Sequence, residues 1–213
     1  MLTVSKPTCH SVNQLLRKCE TSRFTYDQIG ATRQNRMPAG FHHDSSRIQL
    51  GHGRSDFQRA IDAFHEWRVF PRAMTEVLTP TATIDVGQVV ALQFKALFLW
   101  SVCPCRIVYV LDGQRESASV HRFGFGYGTL PGHVENGEER FLLEWDRDSD
   151  EIWYSIVAFS IPQHWLAKVA YPYARYQQSR FRRLSCESML AAVETTPIAS
   201  GACRPESVGA QFV

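Results

Sequence analysis

The spacing of apolar positions changes along the chain, and each change marks an element. Phe57, Ala60, Ile61, Phe64 and Trp67 recur at intervals of three and four, which places them on one face of an amphipathic helix over residues 55–67. Ser55 is positioned to cap that helix, and Phe70-Pro71 to end it. After Pro80 the β-branched and aromatic content rises and residues 81–96, 105–111, 117–129, 138–145 and 152–160 read as strands. Phe141, Leu143 and Trp145 alternate there with Arg140, Leu142 and Glu144, the two-residue period of a strand. Turn signals at Val86-Gly87, Asp112-Gly113, Glu135-Asn-Gly137 and residues 146–150 separate the strands, so consecutive strands form hairpins and an antiparallel meander. The helical period returns in Leu166, Val169, Tyr173, Tyr176 or Gln177, Arg180, Leu184 and residues 186–189, which trace one broad side of a long C-terminal helix. Ser160 and Gln163 form a capping box for it, Pro162 fits its first turn, and Pro172 should bend it.

The ends are less patterned. Residues 1–22 form a weakly structured lead-in with a short helix near residues 12–19, and residues 24–32 read as a short strand ending at Gly30. A loop rich in Pro, Gly, His and Arg follows to Leu50; it is long for a compact domain, which makes it a candidate lid or rim, and Leu50-Gly-His-Gly53 closes it as a glycine turn. From Thr195 the composition shifts to Thr, Pro, Ser, Gly and Ala, the signature of a disordered tail. The expected organisation is thus a lead-in over 1–22, one α+β domain over 23–194 and a tail over 195–213. A curved antiparallel sheet must bury one face, and a long C-terminal helix laid across it would do so while leaving room for a cavity.

Within the meander, Phe123-Gly-Phe-Gly-Tyr-Gly-Thr-Leu-Pro-Gly-His133 stands apart. Phe123, Phe125 and Tyr127 share one face of the strand, and Gly124, Gly126 and Gly128 the other. A bare glycine face calls for a bend or for the close approach of a helix, a backbone or a ligand.

Charge and cysteine content narrow the partners. A net charge of +2 and 44% hydrophobic residues describe an ordinary globular chain of 213 residues, and argue against nucleic acid as a partner. No apolar run has the length of a signal peptide or a membrane span, since the most hydrophobic segment, residues 96–110, is broken by Pro104 and Arg106; a soluble, cytoplasmic protein is expected. The six cysteines are then expected as thiols, and Cys103-Pro-Cys105 lacks the two-residue spacer of zinc knuckles and redox pairs, so no metal or cofactor is expected.

Three functional classes remain open. Dense strand aromatics build a core, but some can also line an apolar pocket with few polar anchors. The expected ligand-binding set is Phe123, Phe125, Tyr127, Tyr109, Phe141 and Trp153 on the sheet, Trp165, Val169 and Tyr173 on the helix, and Arg122, His133 and Tyr26 as polar anchors. An enzyme would instead use a pocket histidine or carboxylate, and His133 with Glu138 or Glu139 flanks one turn, which offers a proton-transfer pair. The third class is contact with an anionic surface, the phosphates of lipid or nucleic acid, since Lys168, Arg175 and Arg182 are spaced seven apart on the C-terminal helix, with Arg180 and Arg183 beside them.

Several segments also carry a resemblance. Phe24-Thr-Tyr-Asp-Gln-Ile-Gly-Ala-Thr32, Leu50-Gly-His-Gly53, Arg106-Ile-Val-Tyr-Val-Leu111, the glycine strand through His133, Glu138-Glu-Arg-Phe141 and Ala158-Phe-Ser-Ile-Pro-Gln-His-Trp-Leu-Ala167 resemble the signature blocks of the family called domain of unknown function 1990, over residues 23–190. That family brings no activity or catalytic residues with it. The element order is further similar to the START-like, helix-grip superfamily, a likeness that implies binding of lipids or other hydrophobic ligands, and in some members cyclase or hydrolase activity.

Overall fold

The computed structural model describes residues 2–78, 83–96, 98–114, 119–163 and 171–194. Its framework is an eight-stranded, wholly antiparallel open sheet. The strands are β1 (Leu2–Thr3), β2 (His42–His52), β3 (Glu76–Leu78), β4 (Val89–Ala96), β5 (Leu99–Gln114), β6 (Val120–Thr129), β7 (Glu135–Asp146) and β8 (Glu151–Pro162). They lie in the order β2-β8-β7-β6-β5-β4-β3, with β1 also paired to β5. The helices are α1 (Cys9–Cys19), α2 (Gly53–His65) and α3 (Tyr171–Glu194). This is the α+β, helix-grip arrangement expected, with the meander from β4 to β8 as anticipated.

One face of the sheet holds the main core. Phe123, Phe125, Phe141, Leu143, Ile152, Tyr154 and Ile156 meet Phe57, Phe64, Trp67 and Phe70 of α2 and its following turn, and Cys186, Met189 and Val193 of α3. Phe64 sits edge-on to Phe123, Phe125 and Tyr154, a geometry that adds to simple area burial. Ser185 ties the three layers together: its hydroxyl donates to the Val69 carbonyl at 2.6 Å and accepts from Tyr154 Oη at 2.7 Å. Arg59 Nε donates to the Val193 carbonyl at 2.9 Å, satisfying one of the carbonyls left open at the end of α3.

The glycine face of β6 meets neither ligand nor α3. A side chain on Gly126 would overlap the Tyr109 ring, and one on Gly128 would overlap Tyr26 and Phe24; Gly124 lies against the backbone of Phe141 and Leu142 on the neighbouring strand. The Tyr109 and Tyr26 rings therefore occupy the volume that β6 side chains vacate. Farther along the same face, Val12, Leu16 and Cys19 of α1 pack on Val89, Ala91, Val102 and Leu130. Residues 2–22 are thus integral to the sheet through β1 and α1.

Several expected elements differ. Residues 24–32 form no strand; they fold over the glycine face and enter a 3-10 turn, Thr32–Gln34. Their polar groups converge on Glu138, whose buried carboxylate accepts from Tyr26 Oη (2.7 Å), Gly30 N (2.7 Å), Thr32 N (2.9 Å) and the Thr32 hydroxyl. A side chain thus satisfies backbone donors that a sheet ladder would otherwise have paired. Conversely, the second half of the loop expected up to Leu50 is the edge strand β2, paired along β8. Its buried positions 44 and 50 are an aspartate and a leucine, so the alternation is there but not apolar. The glycine turn expected at residues 50–53 is the irregular end of β2, and the start of α2 is tied down by Asp56, which accepts from His52 N at 3.0 Å, with Ser55 already inside the helix. Residues 135–137 open β7, the turn falling at Pro131-Gly132, and β4 begins only at Val89. The residues expected to cap the last helix do not: β8 runs through Ser160 to Pro162, and Pro172 stands in the first turn of α3, where proline costs no internal hydrogen bond. The tail over 195–213 lies outside the described residues.

Two stability outcomes follow. Gly126→Ala should lower stability by about 2 kcal/mol because Tyr109 must move, and adding Tyr109→Ala should show a favourable coupling of about 1 kcal/mol in a double-mutant cycle read from urea midpoints. Glu138→Ala strands several buried donors and should cost about 3 kcal/mol or more, with Glu138→Gln, which keeps one acceptor, falling between it and the parent.

Candidate functional site

The core does not fill the whole space under the sheet. Toward the N-terminal half of α3 a cavity of about 390 Å³ remains, in the size range of small-molecule sites. Leu92, Phe94, Leu99, Val134, Ala158 and Phe181 give it apolar walls, and Phe98, 70% exposed, stands at its edge.

Polar groups collect on the side formed by β5, β7, β2 and α3. Glu139 follows from the alternation of β7: it shares the inward side with Phe141 and Leu143 and pairs across to Tyr127 on β6. The Tyr127 hydroxyl donates to its carboxylate. Burial raises the Glu139 carboxyl to about 7, with the Tyr127 hydrogen bond and the Arg182 charge opposing part of that rise. Asp44 on β2 takes a bidentate contact from Arg175 (2.6 and 2.7 Å) and a second from Arg182 at 3.1 Å. Burial would raise the Asp44 carboxyl, but these two arginines outweigh it and hold it below the usual carboxylate range.

His133 and Cys103 form a second polar group. The His133 Nδ1 lies 2.9 Å from both the N–H and the carbonyl of Glu135, so it has a partner whether it accepts or donates. That leaves Nε2 for the sulfurs of β5, where Cys103 also takes a hydrogen bond from the Val134 N–H and shares one with the Ser101 hydroxyl, 3.3 Å away. Burial would push the Cys103 thiol up, yet the His133 charge and these hydrogen bonds bring it to about 7. Burial would correspondingly lower His133, but the facing Cys103 and Cys105 sulfurs raise it well above the ordinary histidine value. Cys105 shares the His133 contact but not those to Ser101 and Val134, and burial raises it.

Two lining acceptors, Glu135 Oε2 and Gln177 Oε1, are buried with no hydrogen-bond partner among the described residues.

Of the residues expected to bind a ligand, Tyr127, His133 and Tyr173 line this cavity. Phe123, Phe125 and Phe141 are spent on the core beside α2. Tyr26 and Tyr109 lie on the opposite face over the glycines, and Tyr109 Oη is 2.6 Å from the Thr32 hydroxyl. Arg122 pairs with Glu144 at 2.9 Å, and Trp153 is covered by Arg47, 4.2 Å from the ring centre. These side chains alternate outward from the cavity side, so strand parity removes them from it. Trp165 and Val169 lie outside the described residues. Cys103, Glu139, Asp44, Arg182 and Phe181 also line the cavity, outside the set expected from the aromatic pattern. Glu139 was visible as a charge on the apolar side of a strand, and Arg175 and Arg182 as an aligned pair whose buried partner was not.

No helix among the described residues is long and apolar enough to cross a membrane. The model of the family described as Domain of unknown function (DUF1990) matches residues 25–188. A UPF0548 protein of Dictyostelium discoideum is 34% identical over 208 residues, covering 91% of this chain and 96% of the relative. A UPF0548 protein of Arabidopsis thaliana is 30% identical over 206 residues, covering 92% and 98%. Among solved structures, ginseng major latex-like protein 151 from Panax ginseng gives a TM-score of 0.45 at 13% identity, over 73% of this chain and 99% of that one. Human STARD10 gives 0.45 at 12% identity, over 89% and 80%. The family model and the full-length relatives together show that this chain belongs to the DUF1990 family.

Proposed function

We propose that this protein binds a small hydrophobic or amphipathic molecule in the cavity between the sheet and α3. The observation that carries the reading is a largely apolar cavity of about 390 Å³ whose lining also holds a small polar set, Tyr127, His133 and Glu139. An apolar body would displace water from beside Leu92, Phe94, Leu99 and Phe181, and a polar end on the ligand would meet the Tyr127, His133 and Glu139 side of the cavity. Tyr127, His133 and Tyr173 from the expected set contribute here, while Phe123, Phe125 and Phe141 support the wall from behind.

Of the stripe expected to face an anionic surface, Arg175 and Arg182 bind the buried Asp44 and the exposed Arg183 pairs with Glu187 at 2.8 Å, while Lys168 lies outside the described residues. The enzyme alternative gains a specific support, because a partnered histidine and a partnered carboxylate both line the cavity.

The test uses the full chain and 8-anilinonaphthalene-1-sulfonate as an amphipathic probe. Probe fluorescence should rise on binding, and the affinity should change less than about threefold between low and molar salt, because an enclosed apolar contact is weakly screened. Ala158→Phe, which fills the cavity from β8, should weaken binding about tenfold while leaving the far-ultraviolet circular dichroism unchanged. Binding that survives Ala158→Phe, or that collapses with salt, would overturn the cavity reading. Native mass spectrometry of protein purified from its own host should show a co-purifying small molecule; a clean apo mass across preparations would count against a tightly held ligand.

A further inference from the structure

We infer that Cys103 and His133 form a nucleophilic pair that adds covalently to α,β-unsaturated carbonyl compounds held in the cavity. The inference rests on the cavity reading and extends it from binding to chemistry.

Four observations support it. Cys103 lines the cavity beside His133 and Tyr127, with apolar Leu92, Phe94 and Leu99 next to it to take an alkyl body. Three polar groups face its sulfur: the His133 ring, the Val134 N–H and the Ser101 hydroxyl, whose Oγ lies 3.3 Å from Sγ and can donate to it once the thiol is ionised. Such a donor set stabilises a thiolate, the form in which cysteine is a nucleophile. His133 in turn is held by Glu135 in a way that suits either protonation state, because Nδ1 lies 2.9 Å from that residue's N–H and 2.9 Å from its carbonyl. Its neighbour Cys105, equally buried, shares the His133 contact but not those to Ser101 and Val134, and its sulfur is directed to the Cys103 carbonyl at 3.8 Å.

Conjugate addition needs only a thiolate and one proton, and the pair holds both. The Cys103 thiolate attacks the β-carbon and the C–S bond forms. The C=C π pair moves into an enolate, and the Nε2 proton of the His133 imidazolium passes to the α-carbon. The products are a thioether and a neutral imidazole that keeps its Nδ1–H on the Glu135 carbonyl. Nothing leaves and no oxidant is consumed. The groups that face the pair and set its pH response are Cys105 on β5 and Glu135 and Glu139 on β7, with Arg182 and Asp44 beyond Glu139.

The experiment compares heptenyl methyl ketone, an α,β-unsaturated ketone, with heptyl methyl ketone, its saturated counterpart. Intact-mass and peptide-mapping spectrometry of the native full chain should show addition of one whole unsaturated ketone at Cys103, about tenfold faster at pH 7 than at the exposed Cys9. The rate at Cys103 should rise with pH through about 7. His133→Gln should move that rise toward the ordinary thiol value near 8.5 and slow the reaction at pH 7 about tenfold, with Cys9 unaffected. The pH profile of the unmodified chain tests the same claim without a variant. A Cys103 that stays unmodified while Cys9 reacts, or a profile that His133→Gln leaves in place, would overturn the inference. The saturated ketone separates the two levels: if it displaces 8-anilinonaphthalene-1-sulfonate but the unsaturated one forms no Cys103 adduct, binding stands and the chemistry fails; if it displaces nothing and no adduct forms, both fail.

Discussion

The close approach of Tyr109 and Tyr26 to β6 is the constraint on which the rest depends. Three glycines leave one face of that strand without side chains, and two tyrosine rings and a neighbouring backbone occupy the volume. Both rings are anchored by buried hydroxyl contacts, Tyr109 to Thr32 and Tyr26 to Glu138, at 2.6 and 2.7 Å. Glu138 also gathers the backbone of residues 30–32, so a single carboxylate holds the N-terminal segment down as one side of a sandwich. With that side closed, the opposite side of β6 is free to present Phe123, Phe125 and Tyr127 to the helices. The strand is thus shared between two packing problems, and the sheet is covered at its centre on both faces.

Much of this architecture was legible in the sequence because it rests on local period. The helix over residues 55–67 matches α2 within a few residues, and the alternation of Phe141, Leu143 and Trp145 gave the correct side of β7. What escaped notice depended on contacts distant in sequence. Residues 24–32 have strand-like composition, yet their donors are taken by Glu138, more than a hundred residues away. The β2 strand carries Asp44 on its inward side, and only the arginines of α3 make that position tolerable. A charge at an inward strand position reads as a loop when its partner is on another element.

The same limit governed the site. Aromatic density pointed to β6, and Tyr127, His133 and Tyr173 do line the cavity, but Phe123, Phe125 and Phe141 lie one layer behind it. Aromatic residues signal burial without saying whether the neighbour is protein or empty space. The arginines at 175 and 182 show the complementary ambiguity: spacing put them on one line of a helix, and either a solvated face or a shared buried carboxylate satisfies that spacing.

Tyr127 marks the transition between core and cavity, and its partner explains why a cavity persists there. Along β6 the inward positions pair across to β7 as Phe123 with Leu143, Phe125 with Phe141 and Tyr127 with Glu139. The first two pairs are apolar and close-packed against α2 and its following turn. The third places a carboxylate where a large apolar residue would have continued the core, and burial of that charge is unfavourable unless polar partners or space lie near it. The Tyr127 hydroxyl supplies one partner, Arg182 lies near enough to favour the charge, and the remaining volume stays open. Polarity at one end of an otherwise aromatic strand therefore does two things at once: it stops the core from filling, and it furnishes the resulting space with groups that can hold a ligand or transfer a proton.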